Sequence, residues 1–384
     1  MGSGPPAGVC HNREVTSPER STSRNIRAAT LLVVAAAVCF GTTGTAHALG
    51  AGDASALSLG SARIVFGGAL LALVALTVVL RSRSVRNSLA LNSSRRNSLA
   101  LNSSRRNSSM RNLSLPDPSA PDRSPRTSRL EPLASARRGS IPVHAVPALL
   151  LVVVGAVGVA AYQPNFFTGT HENGVADGTL VALGSAPVLT GLLEWGVRRR
   201  APGVRWGLAA VVAAAGVAVL SGILSPGQAE SGASGPVTTL GLLGSLGAGA
   251  SYAVYALSSK LLLDRGWLPT VVMGTTFGVA ALFMTPVLVT SDLSWLGRTG
   301  GLVTTAWLAV VTVALAYTLF ARGLRSLPSS RVATLTLVEP LTATMLGVLL
   351  LSEQFTAAII VGLLLLTAGI LILTLDRRPP RIIK

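Results

Sequence analysis

Charged residues are scarce in this chain, and that scarcity sets its class. They form 12% of the 384 residues, whereas apolar residues form 49% and the mean hydropathy is +0.57. Soluble domains carry about 25% charged residues. The composition therefore excludes a soluble globule of this length and indicates a membrane protein.

Cysteine and histidine are also few, which excludes several kinds of site. Cys10 and Cys39 are the two cysteines, and the four histidines are scattered. Neither a disulfide framework nor a histidine-rich metal site can be built from them. Residues 232–235 read GASG, the form of an intramembrane serine protease nucleophile, but no histidine follows them. We therefore expect no enzyme, and without a phosphate-binding loop we expect no cofactor.

Ten apolar stretches of about twenty residues dominate what remains. Each is long enough to cross a hydrocarbon core of about 30 Å as a helix. The sequence predicts an all-α polytopic membrane protein with ten transmembrane helices, at 27–47, 58–80, 146–168, 174–194, 204–222, 238–259, 268–290, 301–321, 328–351 and 356–375.

The basic residues are sorted between alternate loops. Thirty of the 32 lysines and arginines fall in the tails or in the loops that follow even-numbered stretches, and only Arg63 and Arg298 lie elsewhere. Because basic loops remain in the cytoplasm during insertion, we expect a multi-pass protein of the inner (plasma) membrane with both termini cytoplasmic.

The segment 81–145 stands apart from the membrane core. It contains thirteen arginines, and NSLALNSSRR at 87–96 is repeated at 97–106. This segment has too few apolar residues to fold alone, so we predict a disordered cytoplasmic insertion that lies near anionic membrane lipid. It also lacks the aromatic residues that stack on bases, so no nucleic-acid partner is expected.

Without that insertion, the stretches divide into two sets of five that resemble each other. Tyr162, Phe166 and Gly169 correspond to Tyr317, Phe320 and Gly323. Phe40 and Thr43 correspond to Tyr252 and Tyr255, and Gly207 and Gly216 to Gly362 and Gly369. An odd number of spans in each half turns the second half upside down, as in secondary transporters built from inverted repeats.

The predicted organisation follows from this pairing. It comprises a cytoplasmic tail at 1–26, a first five-helix repeat at 27–222 that includes the 81–145 insertion, a second five-helix repeat at 238–375, and a cytoplasmic tail at 376–384.

Several short motifs carry a family resemblance. The Phe40-Gly41-Thr42-Thr43-Gly44 stretch, the Glu339-Pro340 pair with Gly347, and Ser352-Glu353-Gln354 resemble the EamA-type exporters of the drug/metabolite transporter superfamily. The resemblance implies a ten-helix carrier that moves small metabolites, often amino acids, out of the cytoplasm. One departure is visible: where that family has an acidic residue after the fourth span, this chain has Arg198 to Arg200, with Glu194 one turn earlier.

Glu339 is the most informative single residue, because it lies near the middle of the ninth stretch. A carboxylate at that depth is costly unless it faces a cavity or a partner. Pro340 removes the hydrogen bond to the carbonyl of Thr336, which predicts a local break with a free acceptor. Two roles remain open for the Glu339 side chain. It either forms a substrate or proton site, or it makes a purely structural hydrogen bond.

The other candidate site residues are polar or proline residues within the stretches. They are Tyr162, Gln163, Pro187, Tyr252, Tyr255, Tyr317 and Arg63. Two locations remain possible for the tyrosines: the lining of a water-filled cavity, or the aromatic belt at the membrane interface. Arg63 is predicted to extend to the membrane surface, with pairing to Asp177 or attraction of a substrate carboxylate as alternatives.

The function expected from the sequence is secondary-active export of a small-molecule substrate, an amino acid or a related compound, by alternating access. Efflux of drugs or other cationic compounds is the alternative, and a lipid-handling membrane protein is a third class. The oligomeric state stays open between a monomer and a homodimer.

Overall fold

A computed structural model describes residues 18–81, 146–173, 175–199, 203–220, 238–350 and 357–374. These residues form α-helices with short connections, and none of them lies in a β-strand. The predicted insertion beyond residue 81, most of both tails, the GASG sequence and Ser352-Glu353-Gln354 lie outside the described residues.

The described ranges contain helices that coincide with the apolar stretches. In chain order they are α1 (Pro18–Gly50), α2 (Ala56–Arg81), α3 (Ala148–Asn173), α4 (Val175–Arg198), α5 (Val204–Leu220), α6 (Thr239–Asp264), α7 (Pro269–Thr290), α8 (Thr299–Ser326), α9 (Ser329–Leu350) and α10 (Ala357–Thr374). Within those ranges seven helices, α1, α2, α3, α6, α7, α8 and α9, are long and apolar enough to cross a membrane. A polytopic membrane protein is thereby confirmed, and the crossings by α4, α5 and α10 stay predictions.

Large apolar side chains face outward on this bundle. Leu31, Leu149 and Leu282 are 68%, 74% and 71% exposed, whereas alanines such as Ala36 and Ala256 are fully buried. An apolar exterior over a core of small residues is the pattern of helices that pack in lipid. In water the same surface would drive aggregation.

Two central helices organise the bundle. Helix α1 packs against α8 and α9, and α6 packs against α3 and α4, while α5 packs against α10. Both partners of each central helix therefore lie in the opposite half of the chain. Helix α1 meets the third and fourth helices of the second half, and α6 meets the third and fourth helices of the first half.

The contact between α5 and α10 is reciprocal. A Cβ atom on Gly216 would lie 2.6 Å from the Leu366 nitrogen and 2.9 Å from the Gly362 oxygen. A Cβ atom on Gly369 would lie 2.8 Å from the Ala213 nitrogen and 2.9 Å from the Ala209 oxygen. Both glycines thus permit close backbone approach at corresponding positions, 153 residues apart in each case.

This register corrects one pairing read from the sequence. Ala209, and not Gly207, is the residue that corresponds to Gly362. A Cβ atom added to Gly207 would have no neighbour within 4 Å, so Gly207 takes no part in the close contact between α5 and α10. Its resemblance to Gly362 came from spacing alone.

A second pair of contacts corresponds in the same way. Gly169 of α3 lies against Ser245 of α6, and Gly323 of α8 lies against Val33 of α1. The sequence pairs Gly169 with Gly323, and the pairing of Phe40 with Tyr252 places Val33 opposite Ser245. The two halves therefore use matching positions for matching contacts.

The two ends of the bundle differ in charge. At one end, Arg198 and Lys260 contact Asp264, and Lys260 also reaches the last turn of α8. We call this the basic end, because Arg81, Arg322 and Arg325 also terminate their helices there. At the other end, which we call the opposite end, Arg298 pairs with Asp53 across 2.6 Å.

Candidate functional site

Helix α9 is interrupted just before Glu339. Its first segment ends at Leu335, Thr336 and Leu337 form a turn, and the helix resumes at Val338. Pro340 is then in the first turn of the new segment, where its missing N–H leaves no hydrogen bond unmade. Glu339 also lies in that first turn, where the helix dipole favours a negative charge.

The predicted free carbonyl does not exist. The Thr336 oxygen accepts a hydrogen bond from the Glu339 N–H at 2.9 Å. A tighter turn, bonded three residues ahead, satisfies the acceptor that Pro340 cannot reach. The proline therefore produces the predicted break without leaving a polar backbone group unpaired.

The side chain of Glu339 is half-buried and has no hydrogen-bond or ion-pair partner among the described residues. It interacts electrostatically with the guanidinium of Arg63 in α2, although no salt bridge joins them. The structure thus brings together one acid and one base from opposite halves of the chain.

Arg63 points into the bundle. Its Cζ lies 6.0 Å from the centre of the Phe40 ring, and its Nε is buried without a hydrogen-bond partner. The expectation that Arg63 extends to the membrane surface is therefore wrong, because Phe40 offers the guanidinium a cation–π contact inside. The side chain of Asp177, the alternative partner, lies outside the described residues.

The tyrosines converge on the same region. The hydroxyl of Thr336 donates to the Ala333 oxygen at 2.8 Å, so the Tyr252 hydroxyl, 3.1 Å from Thr336 Oγ1, donates to that atom. The rings of Tyr252 and Tyr255 meet edge to face with centroids 5.0 Å apart, and Tyr255 lies 6.2 Å from Tyr317. These rings lie within the bundle and do not form a belt at its ends.

Phe40 and Phe277 complete the aromatic wall. Their ring centroids lie 4.8 Å and 4.1 Å from that of Tyr317. Both phenylalanines are buried, whereas Tyr317 is half-buried. No sequence pattern singles out Phe277, because an aromatic residue in an apolar stretch is ordinarily a packing residue.

Two further candidates come from α3. Tyr162 stacks on Phe166 at 5.7 Å and lies within electrostatic range of Glu339 and Arg63. Gln163 is 7% exposed and packs against Gly60 of α2, where its Oε1 is 2.7 Å from the Cβ position of that glycine.

Pro187 has a different setting. It is buried within α4, beside the segment where Ala186 packs closely on Gly249 of α6. No contact in the described residues joins Pro187 to Glu339. The site is therefore charged on the α9 side and apolar on the α4 side.

The arrangement can hold a small molecule with both an anionic and a cationic group. Arg63 and Glu339 supply opposite charges, and Tyr162 lies within electrostatic range of both. Among the described residues, no group of three or more histidine, cysteine or acidic side chains could hold a metal ion. A separate cavity of about 360 Å³ at the basic end contains none of these residues; it is lined by Val78, Leu268, Pro269, Thr270, Arg322 and Arg325.

Known proteins resemble the chain in sequence. The model of the EamA-like transporter family matches residues 239–375. The uncharacterized transporter YwfM of Bacillus subtilis (strain 168) is 38% identical over 224 residues, which cover 58% of this chain and 73% of that protein. The chain belongs to the EamA-like transporter family. It is thus a transporter and not an enzyme, as the sequence predicted.

Two further comparisons agree with this membership. The uncharacterized inner membrane transporter YicL of Salmonella typhimurium (strain LT2) is 23% identical over 231 residues, covering 60% of this chain and 74% of that protein. A protein of known crystal structure superposes with a TM-score of 0.63 over 91% of this chain and 97% of its own, at 17% identity. At that identity the likeness extends to the fold alone.

Proposed function

We propose that this transporter is a secondary-active carrier that exports small zwitterionic metabolites, amino acids or related compounds, by alternating access of two inverted five-helix halves. Substrate binds between Arg63 and Glu339. The positive group of the substrate meets Glu339, and its carboxylate meets Arg63.

The observation that carries the proposal is that Arg63 and Glu339 form no salt bridge with each other. Neither Arg63 nor Glu339 has a salt bridge among the described residues, yet the Arg63 guanidinium acts electrostatically on the Glu339 carboxylate. Charged side chains inside a membrane bundle are costly unless paired or wet. A zwitterion placed between them would satisfy both charges at once, which a neutral or purely cationic compound would not do.

The reciprocal contacts support the inverted halves. Gly216 with Leu366 matches Gly369 with Ala213, and the α3–α6 contact matches the α8–α1 contact. Halves of this kind can rock against each other around a central site, which exposes it to each side in turn.

The charge distribution supports an orientation in the plasma membrane. The helix ends at the basic end carry Arg81, Arg198, Arg265 and Arg325, and basic ends of membrane helices face the cytoplasm. Both termini then lie in the cytoplasm. Tagging each loop for accessibility tests this topology, and finding segment 81–145 outside the cell would refute it.

The export activity has a direct test. Extracellular metabolites are compared between cells that express the protein and cells that lack it, and any amino acid that rises is then tested as a substrate in proteoliposomes. We expect accumulation of one or a few zwitterions in the medium. Release of cationic drugs alone would favour the multidrug alternative, and a change in lipid distribution alone would favour a lipid-handling protein.

A further inference from the structure

Four charged residues meet at the basic end, away from the central site. They are Glu194 and Arg198 of α4, and Lys260 and Asp264 of α6, and we call them the four-charge cluster. Glu194 and Lys260 are each 6% exposed. Charges buried so deeply near the end of a membrane helix require a specific set of partners.

Lys260 binds the end of α8. Its Nζ donates to the Leu324 oxygen at 2.8 Å and to the Arg325 oxygen at 3.0 Å, and it lies 3.2 Å from Asp264 Oδ1. The last carbonyls of a helix have no partner within the helix and attract a positive charge. Lys260 thereby fixes the end of α8 to α6.

Glu194 binds the start of α9. Its carboxylate accepts hydrogen bonds from the Ser330 N–H at 2.9 Å and from the Ser329 N–H at 3.3 Å. Pro328 precedes this helix and gives it no side-chain cap, so Glu194 supplies the cap from the other half of the chain. The sequence offered no signal for this role, because Glu194 lies one turn before the place where related exporters carry an acid.

Arg198 connects the two contacts. It bonds to Asp264, and its Nε lies 3.5 Å from Glu194 Oε1. A further contact comes from α5, where Trp206 Nε1 donates to the Ser330 oxygen at 3.1 Å. The connection between α8 and α9 is thus held on both sides by residues of α4, α5 and α6.

The path from this end to the central site is closed. In α6 every residue from Tyr255 to Leu263 is buried, and in α9 every residue from Val332 to Val338 is buried. Tyr252 and Glu339, the next residues toward the opposite end that belong to the site, are half-buried. Lys260 belongs to this sealed layer, and the other three residues of the four-charge cluster lie on its basic side. There the contacts of Glu194 with α9 and of Arg198 with Asp264 join the two halves of the chain.

We propose that the four-charge cluster is the gate of the basic end: its bonds between the halves, from Glu194 to α9 and from Arg198 to Asp264, hold the carrier closed there and break when the central site opens to that side. This inference rests on the alternating-access function proposed above. Glu194 and Lys260 act as positioning residues that do not touch substrate. A charged contact suits a gate because water entering on opening rehydrates the separated charges, so the open and closed states differ little in free energy.

The test uses cysteine accessibility, which needs no substrate. Cys10→Ser and Cys39→Ala remove the native cysteines, and Ala333→Cys places a reporter in the sealed layer, where Ala333 is 1% exposed. Membranes oriented with the basic end outward are treated with a membrane-impermeant maleimide. Glu194→Gln or Lys260→Met should raise the labelling rate at least about tenfold. The first weakens a charged contact between the halves, and the second removes the ammonium group that holds Asp264 beside Arg198.

Matched controls separate gating from general loosening. Lys260→Arg keeps the positive charge and should label at nearly the wild-type rate. Asp53→Asn removes the Arg298 ion pair at the opposite end and should leave the Ala333→Cys reporter unchanged. Ala51→Cys is a second reporter at the opposite end, where Ala51 is 1% exposed; it is treated in membranes of the reverse orientation and should not label faster in the Lys260→Met protein.

Two results would overturn the gate. One is an unchanged Ala333→Cys labelling rate in both cluster variants. The other is an equal increase at Ala333→Cys and Ala51→Cys, which would mean that the cluster only stabilises the fold. Failure of export with the predicted labelling pattern would instead count against the proposed substrate and leave the gate supported.

Discussion

Replacement of Arg63 by methionine tests the central site most directly. The guanidinium makes no ion pair among the described residues, so its removal breaks no salt bridge in the fold. The loss of its contact with Phe40, at 6.0 Å, should cost about 0.5–1 kcal/mol of stability. The variant should therefore fold and insert like the wild type.

The effect on substrate should be much larger. A hydrogen bond to a charged group contributes about 1.5–3 kcal/mol. Because about 1.4 kcal/mol corresponds to tenfold in affinity, Arg63→Met should weaken binding of an amino acid by roughly 10- to 150-fold. Arg63→Lys should retain part of the affinity, since lysine keeps the charge but not the two-pronged geometry that matches a carboxylate.

The assay compares two ligands on two proteins. Half-maximal exchange concentrations are measured in proteoliposomes for leucine and for isoamylamine, which lacks the carboxylate. The Arg63→Met variant should lose affinity for leucine and keep its affinity for isoamylamine. An equal loss for both ligands would refute the reasoning, because it would mean that Arg63 shapes the site without binding the carboxylate.

Three other changes test separate parts of the structure. Glu339→Gln should give a folded, inserted protein that no longer accumulates substrate against a gradient, as measured by sided vesicle transport; wild-type transport across a range of pH values would remove Glu339 from the site. Deletion of residues 86–140 should leave insertion and export unchanged in cells, and loss of either would mean that this segment has a structural role. Gly369→Ala should destabilise the protein by about 1–3 kcal/mol in thermal unfolding, because the new Cβ would lie 2.8 Å from the Ala213 nitrogen. Gly207→Ala is its matched control: it has no neighbour within 4 Å and should be neutral or slightly stabilising, and an equal effect of both changes would contradict the close α5–α10 contact.

Some features were fixed by residues that are close in the chain. The low charge content and the long apolar stretches set the membrane class, because lipid solvates apolar side chains and leaves the backbone to bond within helices. The break before Glu339 follows from Pro340, since the missing N–H acts on the carbonyl of the same helix. These effects act between residues that are close in the chain, so they can be predicted from the sequence alone.

The alternation of basic residues and the resemblance between halves also came from the sequence. They predicted a transporter, and the membership in the EamA-like family confirms it. They did not predict the register of the contacts. Gly207 resembles Gly362 by spacing, yet Ala209 is the residue that faces α10 in the corresponding place.

Tertiary structure alone decided which side chains meet. The helical period tells which residues share a face of one helix, but it does not tell which helix that face contacts. Arg63 was expected at the membrane surface and instead lies over Phe40 of α1, within electrostatic range of Glu339 in α9. Glu194 likewise caps α9, a helix far away in the chain, because packing of α4 on α6 brings its carboxylate to the free N–H groups of Ser329 and Ser330.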